Sequence, residues 1–387
     1  MRVLIAPDSF KGSLTARAAG EAIARGCREA DSSILTEIIP LSDGGEGFAE
    51  VYRTAIGEGD FITVAVDGPN GEALSAHYVR SKDLAVIEIA QAIGLERIDR
   101  EIHDPLSAHS GGVGQLIDHA LGAGATRLII GLGGSATTDG GAGMLVALGV
   151  RLLDEHGDTV SPHPRNLDRV ETIDATALAN FDIDVTVACD VTNPLLGKRG
   201  AAAIFGPQKG ATATDVEQLD ALVTHLSDAT VVGLDEQPVS GDQMTAGAGA
   251  AGGLGWALMR FLGARLTGGF SLLAQAGDLA ARIRQADLIC TGEGKVDAQT
   301  LSGKAPAGVW DLCQRYGKPL VIFAGTVDET DIADLTNNAL SVVQITPIEQ
   351  SLGDALRHGE SNLEAAARTF LSQWQRRQMG EGKAGIQ

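Results

Sequence analysis

"RVLIAPDSFKGSLTARAAGEAIARGCREADSSILTEIIP", residues 2–40, decides the fold class. "RVLIAP" (2–7) is a short, continuous apolar run of the length of a buried strand. "TARAAGEAIARGCREA" (15–30) spaces its apolar positions three and four apart, the period of an amphipathic helix, with Thr15 or Ser13 placed to cap the first turn. "ILTEIIP" (34–40) is strand-like again. Strand, helix, strand in forty residues is the unit that builds a parallel sheet.

Working outward, the pattern changes and then returns. "FITVAVDG", "ALSAHYVR" and "LAVIEIA" follow one another as strand candidates between about 60 and 90, with "GPNG" (68–71) as a turn, which predicts a mixed or antiparallel sheet and hence a second domain. The βα alternation resumes with "ADLICTG" (286–292), a helix over 304–317, "PLVIFAG" (319–325), "LSVVQITP" (340–347) and a last helix around 361–377. The expected fold class is therefore α/β in two domains. Residues 1–62 plus 286–387 form a Rossmann-like parallel-sheet domain, and residues 63–285 an inserted mixed-sheet α/β domain.

A chain of 387 residues is long for one core, which agrees with two domains. The formal net charge of −20 excludes a nucleic-acid partner, which needs a basic face to release phosphate counterions, and equally an anionic membrane surface. No signal-like or spanning apolar run occurs, so a cytoplasmic protein is expected. Cys27, Cys189, Cys290 and Cys313 lack metal-ligand spacing, and Cys189 and Cys290 sit in strand-like runs where a thiol packs as a small hydrophobe. His103, His109 and His119 also lack ligand spacing and are read as surface or capping residues.

"GLGGSATTDGGAG" (131–143) admits two chemistries. Gly131, Gly133 and Ala136 satisfy the dinucleotide pattern G-x-G-x-x-G/A, and Asp154 closes the next strand-like run, "VRLLD", which would make the protein an NAD-dependent dehydrogenase. Alternatively, backbone N–H groups at a helix start face the phosphates of a nucleotide or substrate. Two further patterns favour the second. Five of only eight lysines fall in glycine-containing loop segments, namely Lys11, Lys198, Lys209, Lys295 and Lys304, as charge delivered to an anion would. Carboxylates end successive strands: Asp8, Asp43 with Glu46, Asp190, and Glu293 with Asp297. Carboxylates in the crevice beyond strand ends can hold Mg²⁺ or take a hydroxyl proton, both of which phosphoryl transfer needs. Walker-A, H-R-D and D-F-G patterns are absent, which excludes P-loop enzymes and protein kinases.

Taken in order, "IAPDSFKGSLTA" (5–16), "PLSDGGEG" (40–47), "GLGGSATTDGGAGM" (131–144), "ACDVTNPLLG" (188–197), "IFGPQKGA" (204–211), "GAGAAGGLG" (247–255) and "TGEGKVDAQTLSGK" (291–304) resemble the type-1 glycerate kinase family of bacteria. The resemblance implies ATP-dependent phosphorylation of D-glycerate with Mg²⁺, usually to 2-phosphoglycerate, 3-phosphoglycerate being the alternative product. It further implies a cleft between a flavodoxin-like domain and an inserted domain similar to the restriction-endonuclease fold. Within that chemistry Asp190 is expected as base or orienter of the glycerate hydroxyl and Lys295 as the cation on the transferring phosphoryl group. Asp297 is expected to hold Mg²⁺, and Ser9, Lys11, Asp43 and Asn193 to contact substrate. Gly133, Gly134 and Ser135 would present donors to ATP. The remaining alternative, a non-catalytic nucleotide sensor, would keep the loops without the proton chemistry. Nothing in the spacing distinguishes a monomer from a homodimer.

Overall fold

The computed structural model describes residues 1–42, 44–99, 103–179, 181–234, 242–296, 305–328 and 339–384. Its strands are β1 (Arg2–Ile5), β2 (Leu35–Ile38), β3 (Asp60–Asp67), β4 (Ala73–Ser81), β5 (Leu84–Glu88), β6 (Arg127–Gly131), β7 (Arg151–Leu153), β8 (Thr172–Asp174), β9 (Asp184–Ala188), β10 (Thr230–Val232), β11 (Arg265–Thr267), β12 (Leu288–Val296), β13 (Leu320–Val327) and β14 (Leu340–Gln344). The chain divides into two compact units, one of Met1–Asp43, Glu50–Gly57 and Phe270–Gln387, the other of Gly44–Ala49 and Glu58–Gly269.

The first unit is built on a sheet of order β14-β13-β12-β1-β2 in which every pairing is parallel. Counting only this unit's strands, the order is 2-1-3-4-5, the flavodoxin-like arrangement of a doubly wound sheet. Thr15 caps the helix Ala16–Ala30, its hydroxyl accepting from the Ala18 N–H at 3.2 Å. One face of that helix, Ala19, Ile23 and Cys27, is buried with Val3, Ile5, Cys290 and Phe323 of the sheet and with Leu363, Ala367 and Leu371 of the last helix, Gly359–Ala384.

The second unit carries a six-stranded mixed sheet, β11-β9-β6-β5-β4-β3, and a small sheet, β10-β8-β7. β5, β6, β9 and β11 run parallel, whereas β3, β4 and β5 form the expected antiparallel succession, with the Gly68 N–H on Glu72 O closing the 68–71 turn. Its core includes Tyr78, Ile87, Ile117, Ile130, Leu145 and Leu258.

The segment before β12 belongs with the first sheet: Arg282 of the helix Leu279–Gln285 pairs with Glu37 of β2, and Gly277 lies against Ile39. One finding bears on the NAD reading: β7 does not lie beside β6 but pairs antiparallel with β8 in the small sheet. Asp154 there closes a turn, accepting from the N–H groups of His156 and Asp158. The ribose-binding carboxylate of a dinucleotide fold needs the strand after the glycine loop to be a neighbour in the same sheet, so the NAD reading loses its acidic partner. Among the described residues no helix is long and apolar enough to cross a membrane.

Candidate active site

In the first unit the chain goes from β1 out to β2 on one side, while β12 takes the other side of β1. This reversal is the switch point where doubly wound sheets bind ligands, beyond the carboxyl ends of the strands. Asp8, Ser9 and Lys11 follow β1, and their backbone is tied to the middle of β12 by the Asp8 N–H on Gly292 O at 2.8 Å. Thr291, Glu293 and Lys295 alternate onto one face of β12. Glu293 is buried, Ser9 half-buried, and Lys11 and Lys295 exposed. The Asp8 carboxylate accepts from the Ser9 N–H at 2.6 Å, which fixes the turn that presents Ser9. Asp43, Asp297 and Lys304 lie outside the described residues.

In the second unit the ends of β5, β6 and β9 are in register, Glu88 opposite Gly131 and Gly131 opposite Ala188. Three expected or unexpected site elements therefore leave the sheet side by side: Glu88, the glycine loop, and Asp190. Asp190 is exposed and its carboxylate accepts from the Gly269 N–H at 3.1 Å. Asn193 uses its side-chain amide on Arg199 O at 2.8 Å, and its own carbonyl accepts from the Gly249 N–H, so one residue closes the 191–200 loop.

The glycines of 131–143 serve close backbone packing. A Cβ at Gly133 would lie 2.2 Å from Gly45 Cα, and one at Gly252, across the loop, 2.0 Å from Thr137 O. The Gly133 N–H donates to Gly44 O at 3.0 Å, so of the three expected donors this backbone group is already engaged. Gly134 is exposed with φ +74°, whereas Ser135, next in the chain, is only 5% exposed. Asp139 holds the loop from inside: it accepts from the Ser110 N–H and hydroxyl at 2.7 Å each and from the N–H groups of Gly141 and Gly143 at 3.0 Å each. The helix that follows, Ala142–Ala147, is short, and its entry is set by this buried carboxylate.

The lysines separate into two kinds. Lys11, Lys198 and Lys295 are exposed, but Lys209 is 2% exposed, with its Nζ 2.8 Å from Ser135 Oγ and 2.6 Å from Thr137 O. Its ammonium supports the loop from beneath. Of the histidines, His109 does act as a cap, its Nδ1 accepting from the Gly111 N–H at 3.2 Å, and His119 is exposed. His103 is half-buried near Gly210, a placement the surface reading did not anticipate. Burial pushes the Cys189 thiol up to about 11 and Cys290 well above its usual value, as inert packed thiols should behave.

Residues 3–375 match the model of the glycerate kinase family. The chain belongs to that family. The glycerate kinase of Bacillus subtilis is 42% identical over 376 residues, 96% of this chain and 97% of the relative. A relative from Escherichia coli named glycerate 2-kinase is 40% identical over 379 residues, again 96% and 97%. A crystal structure described as glycerate kinase 2 from Salmonella typhimurium LT2 superposes with a TM-score of 0.81 at 41% identity, covering 98% of this chain and 99% of that one. As a glycerate kinase family member the chain is an enzyme, and its α/β fold is the family's.

Sequence reasoning missed Glu88 and the buried role of Lys209. Glu88 is 1% exposed at the end of β5, its Oε2 accepting from the Ala49 N–H at 3.4 Å while Oε1 has no hydrogen-bond partner among the described residues. Burial, with the Glu46 charge adding to it, raises its carboxyl to about 7. A signal was present, one carboxylate inside the apolar run "LAVIEIA". For Lys209 there was none, because nothing local to "GPQKGA" predicts that the side chain turns under a loop more than seventy residues earlier.

Proposed function

We propose that the chain transfers the γ-phosphoryl group of ATP to D-glycerate with Mg²⁺, giving 2-phosphoglycerate and ADP, and that the two compact units are its functional domains. The observation that carries the reading is the Gly131–Ala188 register, which sets an exposed, backbone-anchored Asp190 next to the loop of Gly134 and Ser135. The product assignment is supported by the Escherichia coli relative named glycerate 2-kinase.

Phosphoryl transfer asks a protein for positioning and charge neutralisation more than for covalent chemistry. Asp190 accepts the proton of the attacking glycerate hydroxyl, its carboxylate oriented by the Gly269 N–H. Asn193 holds the loop that follows Asp190. Gly134 and Ser135 give the nucleotide phosphates a close backbone approach and a hydroxyl donor. Lys295 neutralises the group in transfer, and Ser9, Lys11 and Asp43 contact glycerate. Among the described residues no cluster of three His, Cys, Asp or Glu side chains could cage a metal. Mg²⁺ needs no such cage, since one or two carboxylates and the nucleotide's own phosphates suffice. Asp297 would hold it, with Asp8 after β1 and Glu293 in β12 as further candidate carboxylates; when bound it would screen the charge of the phosphates. A coupled assay of ADP release tests the reading: release that depends on both D-glycerate and Mg²⁺ is expected, and release indifferent to D-glycerate would refute it.

A further inference from the structure

The Lys209–Ser135 contact carries an inference that deepens this reading and rests on it. Lys209 ends the short turn Pro207–Lys209, and Gly210 in the left-handed region (φ +88°) then turns the chain away. The side chain is directed into the protein, where Ser135 Oγ and Thr137 O receive two of its N–H bonds. Asp139 and His103 are the other titratable groups whose charge it feels.

We infer that Lys209 is the positioning residue of the glycine loop: by occupying the acceptor side of the Ser135 hydroxyl and the Thr137 carbonyl together, it turns the single Ser135 hydrogen outward as a donor for a phosphate oxygen of ATP. A hydroxyl has one hydrogen, and an oxygen already receiving an N–H bond directs that hydrogen elsewhere. Without the lysine, the Thr137 carbonyl would be a buried acceptor lacking its donor, a costly state, and the Ser135 hydroxyl, which shared that donor with it, is a group able to relieve it. It would then turn inward, and the loop would lose its donor with Ser135 still present.

The arrangement does not depend on the lysine's charge. Burial lowers its ammonium to about 7, opposed by Asp139, but the neutral amine also has two N–H groups for these two acceptors. Lys209 therefore differs from Lys11 and Lys295, whose use to a substrate would be their charge.

The test is a double-mutant cycle on the full chain with Lys209→Met, Ser135→Ala and the pair, reading KM for ATP, KM for D-glycerate, kcat, and the calorimetric Kd for ATP. Each single variant should raise KM and Kd for ATP about tenfold, the value of one lost hydrogen bond to a charged oxygen. The pair should do no worse than either single, because both remove the same donor, with KM for D-glycerate unchanged. Effects that multiply in the pair, or a Ser135→Ala variant that binds ATP as the wild type does, would overturn the inference. Ser135→Ala leaves the lysine and its Thr137 bond in place, so this arm stands even if Lys209→Met fails to fold. A rise in KM for D-glycerate alone would refute ATP as the loop's ligand. Loss of glycerate turnover in the wild type would refute the proposed reaction, while the Kd measurements would still decide the role of Lys209.

Discussion

Asp190 and Glu88 stand one strand apart on either side of β6, and burial gives them opposite work. Asp190 is exposed and oriented by the Gly269 N–H, and is the residue proposed to accept a proton from a substrate hydroxyl. Asp190→Asn should lower kcat by about 10²–10⁴-fold, the usual contribution of a general base; a fall of tenfold or less would remove it from that role. Glu88 is sealed away, and its raised carboxyl sets a pH dependence of stability. With a folded value near 7 against an ordinary 4.5, the folded state holds the proton more tightly than the unfolded one. Stability is therefore full below about pH 4.5 and falls as pH rises towards 7, by on the order of 3 kcal/mol in all. Glu88→Gln has no such proton to lose. It should melt several degrees above the wild type at pH 8 and show no such advantage at pH 4.5, a comparison that thermal scans at the two pH values make directly.

At the scale of elements, glycine decides how closely helices and loops approach. The helix Ala16–Ala30 meets Gly359–Ala384 at Gly26, where a Cβ would lie 2.3 Å from Glu364 O and 2.8 Å from Ala367 Cβ. Gly26→Ala should cost about 1–3 kcal/mol through forced separation of the helices, read as a lower denaturant midpoint. Gly122→Ala, at the end of the helix Gly111–Gly122 with nothing within 4 Å, should be neutral or slightly stabilising. The helix Ala213–Asp228 opens with a reciprocal capping box, Thr212 Oγ1 accepting from the Asp215 N–H while Asp215 accepts from the Thr212 N–H. Thr212→Ala should cost about 1 kcal/mol.

These elements also show what local sequence can and cannot convey. The strand, helix and cap of residues 2–30 were legible because a two- or four-residue period is local and the buried face follows from it. The glycines of 131–143 fit a dinucleotide pattern by spacing, but what crowds Gly131, Gly133 and Gly143 is backbone from residues 44–45 and 110–111. Such an approach has no local signature.

For the whole molecule, the change from βα alternation to successive strands and back was the local sign of a parallel sheet and a mixed one. The association of the helix Leu279–Gln285 with the parallel sheet had no local sign, since its pairing, Arg282 with Glu37, joins residues 245 apart in sequence. The candidate site residues proposed from sequence were found by position, Ser9, Lys11 and Asp190 just after a strand and Lys295 near the end of one. The site was illegible where burial decides the role, as for Glu88 and Lys209. The family match over residues 3–375 joins these pieces into one enzyme. The proposed function is then a single reaction, which NMR of the product would check. With ATP, Mg²⁺ and D-glycerate, the account predicts a phosphate coupled to the C2 proton of the product together with stoichiometric ADP; phosphate on C3, or glycerate recovered unchanged, would contradict it.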